Sequence, residues 1–410
     1  MRFVADFHIH SKYSRATSKG MEVPTLAKWA KIKGIGLLGT GDFTHHLWLQ
    51  ELKQCLSPLP KQGLYEYDGI HFVLSAEVSN IYSQNGRGYR VHTVLLAPSF
   101  EIAEEINKML SFYGNLSSDG RPILGSMSCI RLAEEVLKIS PDIMIIPAHI
   151  WTPWFSVFGS NSGFDSLEEA FGKYTEKITA LETGLSSDPA MNWRLSALDR
   201  FSLVSNSDSH SPSRIGRESN VFDCGLNYWD IKRVLEEKDR ARFLYTVEFY
   251  PEEGKYHLDG HRNCDLRMRP AETKQHRGIC PVCQRQLTKG VLYRVEELAD
   301  RPEGFIPENS IPYRNLVPLD EIVAAAKGMS AKSKAVQQEY MKLIHSHGSE
   351  FEILIEMDGA EIGRKFSPKL ADAIMKVREG TVSIRPGYDG EYGVINLFEE
   401  AEECDQLTFF

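Results

Sequence analysis

Seven short apolar runs, separated by stretches of helical periodicity, most constrain how this chain can fold. They fall at 2–7, 35–40, 70–76, 91–97, 143–147, 178–182 and 201–205. Each is near-continuously apolar, as expected of strands buried on both faces. Helical patterns cover about 24–33, 46–55, 100–112, 127–139 and 190–200 between them. This alternation predicts an α/β fold: a closed, mostly parallel seven-stranded α/β barrel of the TIM-like kind over residues 1–250.

In such barrels the side chains that do chemistry sit at the C-terminal ends of the strands. Read in order, those ends carry His8 and His10, Asp42 with His45 or His46, Glu77, His149, Glu182, and Asp208 with His210. Residues 8 and 10 share one face of an extended chain, because side chains alternate with period two. His92 opens its run instead of closing it. The stretch from Ile81 to Tyr89, with Asn85-Gly86 inside it, is a hairpin signal. An antiparallel return there brings His92 to the same end as Glu77. Imidazoles and carboxylates in this number suit two or three divalent metal ions, Zn, Mn or Fe by donor type, with Mg an option in activity.

The alternation stops near residue 250. Cys280-Pro281-Val282-Cys283 has zinc-knuckle spacing, and His261-Arg262-Asn263-Cys264 supplies a second pair, with His257 a competing fourth ligand. A closed Cys3His set leaves no coordination position for substrate, so it predicts one structural Zn within 251–295. The segment is also basic. Between 255 and 294 nine Lys and Arg face three acids, a net of +6 in a chain of net charge −9. That local excess suits a polyanion backbone, with Arg262, Arg267, Arg269 and Arg277 as expected DNA-binding residues.

Further on, 319–347 reads as helix, Phe351 to Met357 as a strand, about 367–378 as helix, and Asp389-Gly390 as a hairpin turn. Residues 296–398 are expected to form a small C-terminal α+β and helical module that contacts DNA. The close, 399–410, is acidic and expected to be disordered. Its Gln406-Leu407-Thr408-Phe409-Phe410 resembles the front of a sliding-clamp-binding motif, which makes a sliding clamp a candidate partner.

His8-Ile9-His10-Ser11-Lys12-Tyr13-Ser14 resembles the first motif of the PHP (polymerase and histidinol phosphatase) superfamily, and Asp208-Ser209-His210 resembles its last. Asp208 to Glu218, the zinc segment, and Ile384 to Gly390 together resemble one PHP subgroup, the endonuclease Q family. The resemblance implies a metal-dependent DNA-repair endonuclease that cuts 5′ to a deaminated base (uracil, hypoxanthine or xanthine) or to an abasic site. It implies His8, His10, Glu77, His92, His149, Asp208 and His210 as metal ligands, with Glu77 bridging, and Asp42 and His45 standing for the second motif. Many PHP domains carry an aspartate after the Tyr-Ser pair. Arg15 stands there in this chain; it cannot ligate a metal and suits a phosphate grip. Glu77, Asp208, His210 and Arg15 are therefore the expected catalytic residues. Arg214 and Arg217 are further phosphate contacts, and Trp151 and Trp154 offer aromatic faces to a flipped base.

Two rival functions fit part of the pattern. A small-molecule phosphatase of the histidinol-phosphate type leaves the zinc segment without a role. A catalytically inactive PHP scaffold has no need of the near-complete ligand set. No apolar run reaches the roughly 18–20 residues of a membrane helix. The chain opens on a strand, without a signal-peptide pattern, so a cytoplasmic protein with no membrane partner is expected. Seven cysteines, unevenly spread, do not suggest a disulfide framework.

Overall fold

The computed structural model describes residues 1–398. Strands form at all seven apolar runs: β1 (Arg2–Asp6), β2 (Leu37–Gly39), β3 (Ile70–Gln84), β4 (Arg87–Ala97), β5 (Met144–Pro147), β6 (Ala180–Glu182) and β7 (Ser202–Val204). β1, β2 and β3 lie side by side and parallel, Ala5 opposite Leu37 and Leu37 opposite His71. β3 and β4 form an antiparallel hairpin, and β4 pairs antiparallel with β5. β6 and β7 are a separate parallel pair.

Backbone bonds tie that pair to its neighbours. Thr179 N–H donates to Ile145 O and Ile150 N–H to Glu182 O, both at 3.0 Å. Beyond the ends of β1 and β7, Ile9 and Ser209 make a parallel bridge. The C-terminal ends of these strands thus meet around one space.

The β3–β4 hairpin matters most for what gathers there. Asn85 and Gly86 have φ of 52° and 78°. Two successive left-handed residues give the turn whose twist matches a hairpin. The register sets Glu77 opposite Val94 and Ser79 opposite His92. Residues 77 and 92 are therefore diagonal neighbours on one face.

Beyond the seven strands, Ser219–Asp223 pairs with β1, Phe243–Glu248 pairs with that strand, and Tyr313–Asn315 adds to the edge. With three further short strands the sheet is mixed and eleven-stranded. The change of pattern near residue 250 is not a break in the sheet, because the second half adds a strand to it. One buried apolar core runs from Ile9 to Leu397.

Some elements differ from expectation. Residues 190–200 hold only a short helix, Pro189–Asn192, and a turn at Ser196–Leu198. The 319–347 stretch is two helices, Leu319–Lys327 and Lys334–His347, parted by Gly328 at φ 63°. The strand expected at Phe351 to Met357 is helical. Its start is a capping box. Ser349 Oγ accepts from Glu352 N–H at 3.3 Å, and the Glu352 carboxylate accepts from Ser349 N–H at 2.6 Å. That local signal outweighs the β-branched run behind it. Arg378 then donates to the carbonyls of Ile353, Leu354 and Met357 and satisfies the helix end.

The Asp389-Gly390 hairpin forms as expected, joining Ser383–Arg385 to Val394–Asn396. The acidic tail and the clamp-like Gln406–Phe410 lie outside the described residues. Among the described residues no helix is long and apolar enough to cross a membrane.

Candidate metal centre and nucleic-acid interface

β1 ends at Asp6, whose buried carboxylate accepts from Ser207 N–H at 3.1 Å, Ser207 Oγ at 2.6 Å and Gly216 N–H at 2.9 Å. This clamp fixes the His8–His10 stretch against the loop that carries Asp208. His8 Nε2 lies 3.6 Å from both Glu77 Oε2 and Asp208 Oδ1. His10 Nε2 lies 3.3 Å and 3.0 Å from the same two oxygens. Across the hairpin, His92 Nδ1 is 2.7 Å and His149 Nε2 3.1 Å from Glu77 Oε1. Glu77 therefore turns one oxygen to each of two clusters, His8–His10–Glu77–Asp208 and Glu77–His92–His149. His8 Nε2, His10 Nε2 and Asp208 Oδ1 are buried and have no hydrogen-bond partner. Convergent, buried and unsatisfied donor atoms are what a divalent ion requires.

The remaining expected ligands stand behind these clusters or beside them. Glu182 is not in either cluster. It lies behind His8, its oxygens 3.0 and 3.1 Å from His8 Nδ1, and it also accepts from His149 N–H and from Asn206. Asp42 is likewise a support. Its Oδ1 is 3.0 Å from His10 Nδ1, while Ser11 and Ser14 occupy Oδ2. These carboxylates leave Nε2 of each histidine to the centre. His45 stacks on Tyr13 and His46 on His45, and neither joins a cluster. His210 stands at the rim, its ring 4.5 Å from that of His10. Arg15 is 80% exposed and pairs with Asp119. The guanidinium that does reach the centre is Arg121, with Nη1 3.0 Å from Glu77 Oε2.

The backbone is strained where these groups emerge. Asp42, His149 and Asp208 have φ of 49°, 31° and 45°. Left-handed non-glycine residues are uncommon and gather at functional sites. Gly184 permits the His149 placement, since a Cβ there would stand 2.4 Å from His149 Cβ.

The electrostatics draw positive charge in. Burial alone would strip His8 and His10 of protons, yet Glu182 and Glu77 around His8, and Asp42 beside His10, outweigh it and raise both well above the ordinary imidazole range. Burial would also keep Asp208 protonated, but His8 and His10 hold it far below the usual carboxylate range. His92 goes the other way. Burial pushes it down to about 4 despite Glu77, which leaves it neutral near pH 7. Buried carboxylates in this number need cations, as protons on imidazole or as metal ions.

A second site, apart from the two clusters that share Glu77, gathers His261, Cys264, Cys280 and Cys283, with one ligand atom of each within 4.8 Å of the others. The strands Asp259–His261 and Leu266–Met268 pair; His261 ends the first, Cys264 lies in the turn between them, and the 280–283 knuckle carries the others. His257 is not part of it. That ring is buried, its pKa pushed down to about 4 by burial.

Two solved structures match this chain over nearly its whole length. The lesion-specific endonuclease PfuEndoQ from Pyrococcus furiosus has a TM-score of 0.87 and 34% identity, covering 98% of this chain and 96% of that one. Endonuclease Q in complex with a 27-mer duplex carrying an abasic lesion at the active site has a TM-score of 0.85 and 34% identity, covering 98% of each chain. This chain belongs to the endonuclease Q family. The family model of the MJ0043 C-terminal domain matches residues 318–381. Protein MJ0043 of Methanocaldococcus jannaschii is 36% identical over 257 residues, 60% of this chain and 31% of that protein, so the match spans under a third of that relative. Protein YqxK of Bacillus subtilis is 28% identical over 424 residues, covering 96% of this chain and 99% of that protein.

In this endonuclease Q family chain, the residues expected at DNA divide. Arg262, Arg269 and Arg277 are exposed, and Arg267 lies over the Tyr388 ring. Arg217 is turned inward and donates twice to Ser207 O, at 2.9 and 3.0 Å. Arg214 pairs with Glu321 at 2.6 Å. Both are engaged within the protein, Arg217 by a carbonyl and Arg214 by a carboxylate. Trp151 is corrected: it is 1% exposed and its Nε1–H donates to Asn192 Oδ1. Trp154 is 41% exposed and lines a cavity of about 290 Å³ with Tyr256, Tyr392, Lys255 and Thr152. Thr152 Oγ1 is 3.1 Å from His149 Nδ1, so this cavity adjoins the candidate metal centre.

Proposed function

We propose that this chain is a metal-dependent DNA-repair endonuclease that hydrolyses the phosphodiester 5′ to a deaminated base (uracil, hypoxanthine or xanthine) or to an abasic site. The observation that carries the reading is Glu77, with one carboxylate oxygen facing each of two sets of buried imidazoles, His8 and His10 on one side and His92 and His149 on the other. We take the seven strand ends as the mouth of a distorted PHP barrel. His8, His10, Glu77 and Asp208 would hold one divalent ion, and Glu77, His92 and His149 another. Zn, Mn or Fe fits these donors. Such ions supply Lewis acidity and a nucleophilic water at neutral pH.

The chain's own residues do the rest. Asp42 and Glu182 fix the imidazole tautomers from behind. The basic 255–294 surface follows the phosphate backbone. Trp154, Tyr256 and Tyr392 give aromatic faces to a base taken out of the stack. His261, Cys264, Cys280 and Cys283 would hold a structural Zn that folds this surface.

The test is an end-labelled duplex with one uracil or one abasic site, beside undamaged duplex and p-nitrophenyl phosphate, in Mn²⁺ or Zn²⁺. A single cut 5′ to the lesion is expected, with undamaged DNA left intact. Hydrolysis of p-nitrophenyl phosphate alone would make the protein a small-molecule phosphatase. No hydrolysis under any metal would make it a scaffold.

A further inference from the structure

We infer that Arg121 grips the non-bridging oxygens of the phosphoester at this centre, the role the sequence pattern assigns to Arg15. The inference rests on the phosphoesterase reading above and names the residue that contacts the substrate phosphate.

Arg121 touches the centre at the oxygen the first cluster uses. Its Nη1 is 3.0 Å from Glu77 Oε2, and that oxygen is 3.3 Å from His10 Nε2. A guanidinium carries five N–H donors in a planar fork. Among the described residues the bond to Glu77 is the one side-chain hydrogen bond Arg121 makes. The side chain is 31% exposed, so its other donors remain accessible at the edge of the centre. Asp208 and Asp119 add to the negative field that keeps it there.

The loop that presents Arg121 is pinned on several sides. Gly120 N–H donates to Tyr13 O at 3.2 Å, Thr44 Oγ1 donates to Gly120 O at 2.9 Å, and Ser79 N–H donates to Pro122 O at 3.0 Å. Gly120 allows this closeness. A Cβ there would stand 2.2 Å from Asp42 Oδ2 and from Ser14 Oγ. Asp42 orients His10, so one carboxylate sets both the imidazole and the closest approach of the Arg121 loop. A guanidinium placed beforehand where phosphate charge must be held costs no reorganisation when substrate arrives.

The other arginines are committed elsewhere or stand away. Arg15 pairs with Asp119 at 3.4 Å, Arg214 with Glu321, and Arg217 with Ser207 O. Arg121 alone shares Glu77 Oε2 with the imidazoles of the first cluster. A cation held by that cluster would compete with Arg121 for the charge of Glu77. A phosphate, which offers two oxygens to the fork, is then the stronger partner.

The test uses the full chain as parent, Arg121→Met and Arg121→Lys. Three quantities are read: manganese content after loading and dialysis, affinity for inorganic phosphate by calorimetry, and kcat and KM on an abasic duplex. Arg121→Met should keep the parent's manganese content and bind phosphate about tenfold more weakly. Its kcat should fall by about 10²–10³, while KM, set by the wider DNA surface, changes little. Arg121→Lys keeps the charge but not the fork and should recover part of the phosphate affinity.

If Arg121→Met loses manganese together with phosphate, the residue only balances Glu77 and the inference falls. It falls equally if phosphate affinity and kcat match the parent, or if Arg15→Met loses phosphate affinity while Arg121→Met keeps it. A parent that cuts no DNA would sink the endonuclease reading, whereas the phosphate and manganese measurements would still decide Arg121.

Discussion

The two candidate metal sites of this chain, one around Glu77 and one at His261, Cys264, Cys280 and Cys283, are held in opposite ways. Around Glu77, four of the side chains have a supporting partner: Glu182 behind His8, Asp42 behind His10, Thr152 behind His149, Arg121 against Glu77. These groups are set in a core that spans the chain. The second sits in a segment whose own buried apolar cluster is Met268, Cys280 and Leu287, and one of those is itself a candidate ligand. The C-terminal hairpin clasps that segment from outside. Tyr388 donates to Asp265, and Asp389 accepts from Thr288 Oγ1 and Arg262 N–H. At the first cluster the fold holds the ligands. At the second, the ligands are expected to hold the fold through a bound ion.

The largest expected effect separates them directly. Asp208→Asn should lower cleavage on the order of a thousandfold, because it removes a donor at the reacting centre. Its melting temperature should stay within about 3 °C of the parent, since the supporting carboxylates remain. Rate and melting curve on one preparation check this, and an unfolded variant would erase the contrast.

Cys280→Ser with Cys283→Ser should do the reverse. Elemental analysis should find roughly one zinc fewer per chain, and the segment should open at a cost above about 4 kcal/mol. Hydrogen exchange across 259–290 would report it. Full protection with unchanged zinc would show that the fold holds this cluster too.

A smaller effect tests what the second region does for the first. Each phosphate neutralised by Lys or Arg contributes a log–log salt slope of about −0.9 on duplex DNA. Arg262→Ala with Arg277→Ala should flatten the slope by about two such steps, whereas Asp208→Asn should leave it unchanged. Binding of the double variant with the parent's slope would make these side chains a solvated surface.

Much of the first cluster was legible because strand ends and one turn decide it. Asn85-Gly86 announced the hairpin, and the hairpin brought His92 to Glu77. Spacing likewise named the four residues of the second cluster, although only the paired strands separate His261 from His257. What sequence could not tell was which way a strand-end carboxylate faces. Asp42 and Glu182 have the residue type and position of ligands, yet each is spent on Nδ1 of a histidine from another strand. Trp151 and Trp154 are three residues apart, and one is anchored inward by Asn192. Arg121 escaped a search confined to strand ends, since it sits in a loop. Its signal was Asp119-Gly120-Arg121-Pro122, a glycine placed where only a glycine fits. The misread strand at 351–357 had its warning in Ser349 and Glu352.

The smallest effect sharpens the contrast through pH. Buried acids stand behind the first centre, and Glu248 is among them. Burial pushes its carboxyl up to about 8, against hydrogen bonds from Thr246 and Thr183. An unfolded glutamate titrates near 4.5. Between those values the folded state holds a proton that the unfolded state has released. Stability from this group is therefore complete below the unfolded value and is lost as pH rises through the folded one. The slope is at most about 1.4 kcal/mol per pH unit. Glu248→Gln keeps the shape and has no proton to lose, so its melting temperature should vary less than the parent's between about pH 5 and 8. The zinc segment should move the other way, because its thiols must shed protons to bind, and its protection should rise with pH over the same range. Melting curves and hydrogen exchange across that range would show both trends. A parent-like fall in Glu248→Gln would shift the effect to Asp6 and Asp188, each raised by burial to about 6. Parallel trends in both regions would remove the distinction between a fold that holds its ligands and ligands that hold their fold.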